Sequence, residues 1–316
     1  MKFRTLTMLG ATITLALLSQ QAAIASAAQA TSAGQYRFEL GDLHVISLDA
    51  GTVPLDAHTL LKGVATAQMD KLLTQASLSN PVDSSINAFL IVEGSHRILI
   101  DTGPGDFFGP GDSGKLMASL KAVGVEPGDI DDILLTHLHP DHEGGLVHAG
   151  RAVFPHATVF VGKPDVDLFL AKQSQSGADG VDKALFQQAS VALAPYMASG
   201  RLKPFSGQTE VLPGITAIPA PGHTPGHSIY RVQSKGQTMS FIGDLIHIAA
   251  IQFPNPAVTI IYDVDQSRAA RQRTERFNAF VASHQLVAGA HLAFPGVGYI
   301  EGQGSAYRFV PLDQPH

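Results

Sequence analysis

The stretch Thr136-His137-Leu138-His139-Pro140-Asp141-His142-Glu143-Gly144-Gly145 constrains the fold more than any other part of the chain. Three histidines and an aspartate fall between positions 137 and 142, directly after the apolar run Ile133-Leu134-Leu135. A buried strand that empties into so many metal-ligating side chains needs a scaffold in which other loops reach the same point. Along an extended segment alternate side chains share a face, so His137 and His139 can address one ion. The turn that follows re-aims Asp141 and His142 at a neighbouring position. Imidazole and carboxylate without thiolate suit Zn, Mn, Fe or Co rather than a cysteine-based structural zinc. The chain has no cysteine, which also excludes disulfides and lipid attachment through cysteine.

Other segments repeat this logic of strand, then polar loop. Residues 97–100 run into Asp101-Thr102-Gly103-Pro104-Gly105, where a carboxylate at a strand end and a Gly-Pro-Gly turn can hold neighbouring ligands by hydrogen bonds. Phe107 and Phe108 follow, and two adjacent loop aromatics do not both point into a core. Residues 215–218 lead to Pro221-Gly222-His223-Thr224-Pro225-Gly226-His227. His223 is a candidate ligand there, and His227 reads as a support for the ligands. Residues 239–242 finish in Gly243-Asp244, a candidate bridging carboxylate, and 286–290 finish in His291.

Between these motifs, alternation on both sides of Gly41-Asp42 predicts a hairpin over 36–40 and 43–48. Residues 52–86 are irregular and read as a loop-rich excursion with a short helix near 69–73. Ser113 is a candidate cap for a helix carrying Leu116, Leu120 and Val123. A strand is expected over 158–161 and helices over 165–173 and 181–198, where Leu168, Phe169, Leu185 and Phe186 read as packing residues. Asp263 and Gln266 resemble a capping box opening a long helix, with Phe277, Phe280, Val281 and His284 on one face. Its Arg268, Arg271, Arg273 and Arg276 read as a solvated face.

With 45% hydrophobic and 15% charged residues, a net charge of -6 and no basic cluster, the chain reads as an apolar-rich globular protein without a nucleic-acid partner. Lys2 and Arg4, an apolar stretch over 8–18, and the signals Ala25-Ser26-Ala27 and Ala28-Gln29-Ala30 mark residues 1–30 as a secretory signal peptide. That apolar stretch is shorter than the roughly 20 residues a membrane span needs. Residues 31–316 are expected to form one soluble domain, exported to a bacterial periplasm.

Taken together, Asp101, H-x-H-x-D-H at 137–142, His223, Asp244 and His291 resemble the motif set of the metallo-β-lactamase superfamily of binuclear hydrolases. Within it the chain is most similar to the methyl parathion hydrolase group, which includes lactone and arylester hydrolases. That likeness extends to G-x-Y-R-F-x-L-G-D at 34–42, D-T-G with F-G-P at 101–110, L-K-P-F-S-G at 202–207, G-D-L-I, and A-H-L-A-F-P-G at 290–296. The resemblance implies an α/β fold, an αββα four-layer sandwich, and two divalent metal ions with zinc the expected metal. His137, His139 and His223 would hold one, Asp141, His142 and His291 the other, and Asp244 would bridge them. Asp101 and His227 would support the site, and Phe108, Phe169 and Leu185 would stand at substrate-pocket positions. The implied activity is hydrolysis of small neutral apolar lactones, aryl esters or organophosphate triesters by water activated between two metals, with Asp141 and Asp244 as the catalytic carboxylates and a homodimer as the assembly. The chain has no tryptophan, and Glu143 and His247 bring polarity where that group is apolar. Glyoxalase II and β-lactamase chemistry are the enzymatic alternatives. The first lacks its usual helical tail here, and the second lacks the bridging carboxylate. A non-catalytic exported metal-binding protein is the reading from a different class.

Overall fold

The run Ile133-Leu134-Leu135 shows how the layers arise. Successive strand side chains point to opposite faces, and Leu134 packs into a core between two sheets while Ile133 and Leu135 pack under helices on the outer face. A strand covered on both faces is apolar throughout rather than alternating. The structure, a computed structural model, describes residues 29–31, 35–109, 114–171 and 183–312. The proposed signal peptide and Ser113 lie outside these, except that Gln29 and Ala30 fall in a strand.

The chain first lays down β1 (Gln29–Thr31), β2 (Gln35–Leu40) and β3 (Leu43–Leu55). After β3 come the helical turn Ala57–Leu60, β4 (Leu61–Lys62) and the helix Thr66–Gln75. Then follow β5 (Val82–Glu93), β6 (His96–Ile100), β7 (Asp132–Leu134), the small ribbon of β8 (Val147–His148) and β9 (Arg151–Ala152), β10 (Thr158–Gly162) and β11 (Leu202–Phe205). The first sheet has the order β1-β2-β3-β5-β6-β7-β10-β11. It is antiparallel as far as β6 and parallel beyond it.

The second half supplies β12 (Thr209–Leu212), β13 (Ile215–Pro219), β14 (Ser228–Ser234), β15 (Gln237–Phe241), β16 (Thr259–Ile260), β17 (Leu286–Ala288), β18 (Val297–Gln303) and β19 (Ala306–Pro311). All but β16 form the second sheet in chain order. Between the sheets, Phe38, Val45, Phe89 and Ile98 meet Tyr230, Val232, Met239 and Phe241, with the Phe89 and Phe241 rings 5.1 Å apart. Outside the first sheet lie the helices Leu116–Ala122, Lys163–Phe169 and Lys183–Ala198, whose Leu120, Phe169, Phe186 and Leu193 are buried. The helix Gln266–Ser283 covers the second sheet through Phe277 and Phe280. These are the four layers of an αββα sandwich. Among the described residues no helix is long and apolar enough to cross a membrane.

Three expectations change. The 52–86 excursion is strand at both ends, because β3 and β5 pair as far as Leu55 and Val82 after a register shift between Asp49 and Gly51. Its middle does contain the expected helix. β4 is clasped to β16, with Leu61 opposite Ile260, and Met69 and Leu73 pack on Ile248, Ile251 and Ile260 in a separate apolar cluster. Second, Asp265 rather than Asp263 caps the long helix, accepting from the Arg268 amide at 2.9 Å, and His284 ends it in a left-handed conformation at φ 52. Third, Arg273 is not solvated: at 1% exposure it donates to the carbonyls of Leu245, Pro256 and Val258. Arg276 is half-buried and donates to the Pro219 carbonyl. An arginine buries its head where enough carbonyls converge to replace water.

Arg273→Met should therefore leave those carbonyls unsatisfied and lower stability by about 3 kcal/mol. Arg271→Met, on the exposed face of the same helix, should stay within roughly 0.5 kcal/mol. Urea unfolding midpoints of the two variants compare them.

Candidate metal centre

The ligand loop leaves β7 under tight control. Asp101, at the end of β6, adopts φ 56 and turns its carboxylate onto Thr136, accepting from its amide at 2.8 Å and its hydroxyl at 2.9 Å. Pro140 then opens the helical turn Pro140–Glu143 that carries Asp141 and His142. Behind it, the Gly145 amide donates to the Gly103 carbonyl at 2.9 Å. A Cβ at Gly144 or Gly145 would run into the carbonyls of Pro104 and Thr102. The glycine pair thus lets the ligand turn lie against the D-T-G loop.

Two clusters converge at this edge of the sandwich. His137, His139, His223 and Asp244 form one, and Asp141, His142, Asp244 and His291 the other, with the candidate ligand atoms of each cluster within 4.8 Å of one another. All seven residues singled out in the sequence as ligands are present, and Asp244 belongs to both sets. Its Oδ2 is 3.3 Å from His223 Nε2 and 3.4 Å from His291 Nε2, and its Oδ1 is 3.1 Å from His142 Nε2.

The donor set fits cations. His139 Nδ1 lies 3.1 Å from His137 Nε2 and 3.0 Å from His223 Nε2, three nitrogens whose lone pairs an ion can share. His142 Nε2 and Asp244 Oδ1 are buried and, though 3.1 Å apart, make no properly directed hydrogen bond to each other or to any other described residue. The outward nitrogens are held as ligating imidazoles require. His142 Nδ1 donates to Asp101 at 2.9 Å, His223 Nδ1 to Asp263 at 2.8 Å, His291 Nδ1 to the Ser85 carbonyl at 2.9 Å and His137 Nδ1 to the Thr136 hydroxyl at 3.1 Å.

Electrostatics follow from burial set against these partners. Burial opposes charge on His223 and His291, yet Asp244 and Asp263 raise the first to about 9, and Asp244 and Asp141 the second to about 10. Burial likewise works against His142, and Asp244, Asp141 and Asp101 lift it well above the ordinary imidazole value. His227, pushed down to about 3 by burial and His223, stays neutral. Its Nε2 accepts from the Asp244 amide at 3.0 Å and its Nδ1 donates to the Ala220 carbonyl at 3.2 Å. It steadies Asp244 and lies outside both clusters, as does Asp101.

A cavity of about 300 Å³ opens over the clusters, walled by Val53, Leu55, Phe108, Leu185 and Tyr262. Phe108 and Leu185 stand where the resemblance placed pocket residues. Phe169 does not: it is fully buried, its ring 5.9 Å from His139 and 5.5 Å from Phe186, so it packs behind the ligand, as its apolar character suggested. His247 faces the cavity with Nε2 3.0 Å from Asp244 Oδ2. Glu143 is fully buried, and burial together with Asp165 raises its carboxyl well above the usual range. Sequence reasoning missed Asp263, the partner of His223, because its position just before a helix gave it the signature of a cap.

The profile of the metallo-beta-lactamase superfamily matches residues 81–285, and the chain belongs to that superfamily. The crystal structure of the hydrolase AbOPH in the beta lactamase superfamily is 33% identical, with a TM-score of 0.83 over 91% of this chain and 100% of its own. The dizinc quorum-quenching lactonase AidC is 26% identical, with a TM-score of 0.82 over 90% of this chain and 99% of its own. A ribonuclease of Thermus thermophilus is 27% identical over 187 residues, 56% of this chain and 39% of the relative, so the chain spans about two fifths of that protein.

Because the carboxylates beside His223 and His291, and those beside His142, favour the protonated imidazoles when no ion is bound, metal uptake competes with protons. Binding at pH 7.5 should release about two protons per chain, from His223 and His291, and apparent affinity should rise as pH rises toward the raised values. Calorimetric titration of the metal-free protein in buffers of different ionisation enthalpy measures both.

Proposed function

We propose that the protein is an exported, metal-dependent hydrolase of neutral lactones and aryl esters. The observation that carries this reading is the pairing of two clusters through Asp244 beneath an apolar-walled cavity. The cavity volume suits a small molecule, and among the described residues no lysine or arginine lines it. That lining argues against a phosphorylated or nucleic-acid substrate, as does the net charge of -6, despite the ribonuclease relative. The likeness to AidC supports a lactone. The Lys2 and Arg4 start, the apolar 8–18 stretch and the A-x-A signals support export.

Bound in the clusters, divalent cations such as zinc would supply a water acidified to a pKa near 7 and polarisation of the carbonyl oxygen. The chain's own residues do the rest. Phe108, Leu185 and Tyr262 hold the apolar body of the substrate and keep bulk water off its ester bond. Asp244, 3% exposed, fixes the spacing between the two ligand sets. Asp141, 15% exposed, is the carboxylate open to the cavity. Burial works against its charge, but His142 and His291 hold it below the usual carboxylate range. It is thus ionised, and its place at the cavity rather than its basicity is what puts it in reach to relay a proton from the attacking water to the leaving oxygen.

Purified protein of known metal content should hydrolyse dihydrocoumarin, an acyl-homoserine lactone or p-nitrophenyl acetate faster than methyl parathion or a β-lactam. Chelation should abolish turnover and zinc restore it. A panel led by methyl parathion or the β-lactam overturns the substrate reading. Zinc binding without turnover of any ester makes the chain a metal-binding protein instead. Asp141→Asn that still carries both metals should lose about 100-fold in kcat, and full activity in that variant would remove Asp141 from proton transfer.

A further inference from the structure

Beside the ligand loops lies a fully buried carboxylate that neither cluster uses, Asp165. It stands in the first turn of the helix Lys163–Phe169, which starts where β10 ends at Gly162. Its Oδ2 accepts from the Leu138 amide at 3.0 Å and the Thr224 hydroxyl at 2.8 Å, and its Oδ1 accepts from the Gly226 amide at 2.5 Å. Leu138 separates His137 from His139. Thr224 follows His223, and Gly226 precedes His227, which holds the Asp244 amide. Every donor thus lies on a loop that builds the His137–His139–His223 cluster. None lies on the Asp141–His142 turn or beside His291.

We infer that Asp165 is a positioning residue for the first metal site alone, a clamp that fixes the distance between the H-x-H loop and the His223 loop. The inference rests on the reading that the two clusters hold metals. A buried carboxylate is retained where donors replace its hydration, and here they come from two loops whose backbones, among the described residues, meet only through the Ser228 amide donating to Thr136. Burial raises Asp165 to about 6, with the Thr224, Gly226 and Leu138 bonds pulling the other way. The contact has no slack. A Cβ at Gly226 would fall 2.6 Å from the Asp165 amide nitrogen and 2.8 Å from its Oδ1, and one at Gly162 would strike the Gly226 carbonyl. The second glycine of P-G-H-T-P-G-H is explained by this approach. A residue that merely stabilised the fold would affect both clusters alike, whereas two of the three donors, Leu138 and Thr224, adjoin residues that belong to the first cluster only.

The test titrates metal-free full-length protein with Zn²⁺ against a chelating dye. A parallel titration with Co²⁺ follows the paramagnetically shifted imidazole N–H signals of His142, His223 and His291, which report the two clusters separately. Wild type should take up two ions. Asp165→Asn should weaken the first site by roughly 10- to 100-fold and leave the second unchanged. At limiting Co²⁺ the His223 signal should then be lost while those of His142 and His291 persist. Thr224→Val, which removes one donor, should shift affinity the same way by less, and it decides the matter alone if Asp165→Asn does not fold. Asp167→Asn, on the exposed face of the same helix and paired with Lys163, should match wild type. Wild-type affinities at both sites in the Asp165 and Thr224 variants, or a parallel loss at both, would overturn the inference. Wild-type protein that takes up no metal would instead overturn the metal reading itself.

Discussion

The structure depends on one carboxylate being surrounded by imidazoles. Asp244 is almost wholly buried and is within 3.4 Å of His142, His223, His247 and His291, a concentration of polar groups that a protein interior accepts only when their charges are mutually compensated. The four layers make that compensation possible. Strands of both sheets end at the same edge, and each sends one loop to the common point. The H-x-H-x-D-H loop leaves the first sheet after β7, and His223, Asp244 and His291 leave the second after β13, β15 and β17. The apolar matter between the sheets keeps those ends in register, so the inter-sheet packing of Phe89 on Phe241 is as much part of the site as the ligands are.

A second tier holds the candidate ligands. Asp101 serves the Thr136–His142 loop, Asp263 orients His223, His227 holds the Asp244 amide, and Arg273 reaches the Leu245 carbonyl from beneath. Arg273 also lies 3.9 Å from Asp263, so the cation buried under the long helix stands close to the carboxylate that fixes a ligand imidazole.

What was legible in the sequence was the place where apolar runs give way to ligands, because strand periodicity and ligand chemistry are both local. The hairpin, the central strands, the long helix and the seven converging residues could all be read that way. What could not be read depends on tertiary neighbours. Asp263 carries the signature of a cap, Asp165 that of an ordinary acid in a first helical turn, and Arg273 that of one more arginine in a charged run. Only the carbonyls and loops packed against them reveal their tasks. The strand character at the first end of 52–86 was hidden by the irregularity between Asp49 and Gly51, which breaks the alternation that marks a strand, and at the other end by Ser84, a polar residue on the buried face of β5. Phe169 belongs to both readings at once, a core residue whose ring edge meets a ligand.

The clasp between β4 and β16 separates the wall of the cavity from its floor. Tyr262 hangs just beyond β16, and Leu55 ends β3 just before the helical turn that leads to β4, so two wall residues adjoin a small apolar cluster of their own, away from the core that aligns the strand ends. A change confined to the 55–75 excursion would therefore redraw which molecules enter while leaving the loops beneath it in place. New substrate preference becomes a matter of upholstery rather than of foundations.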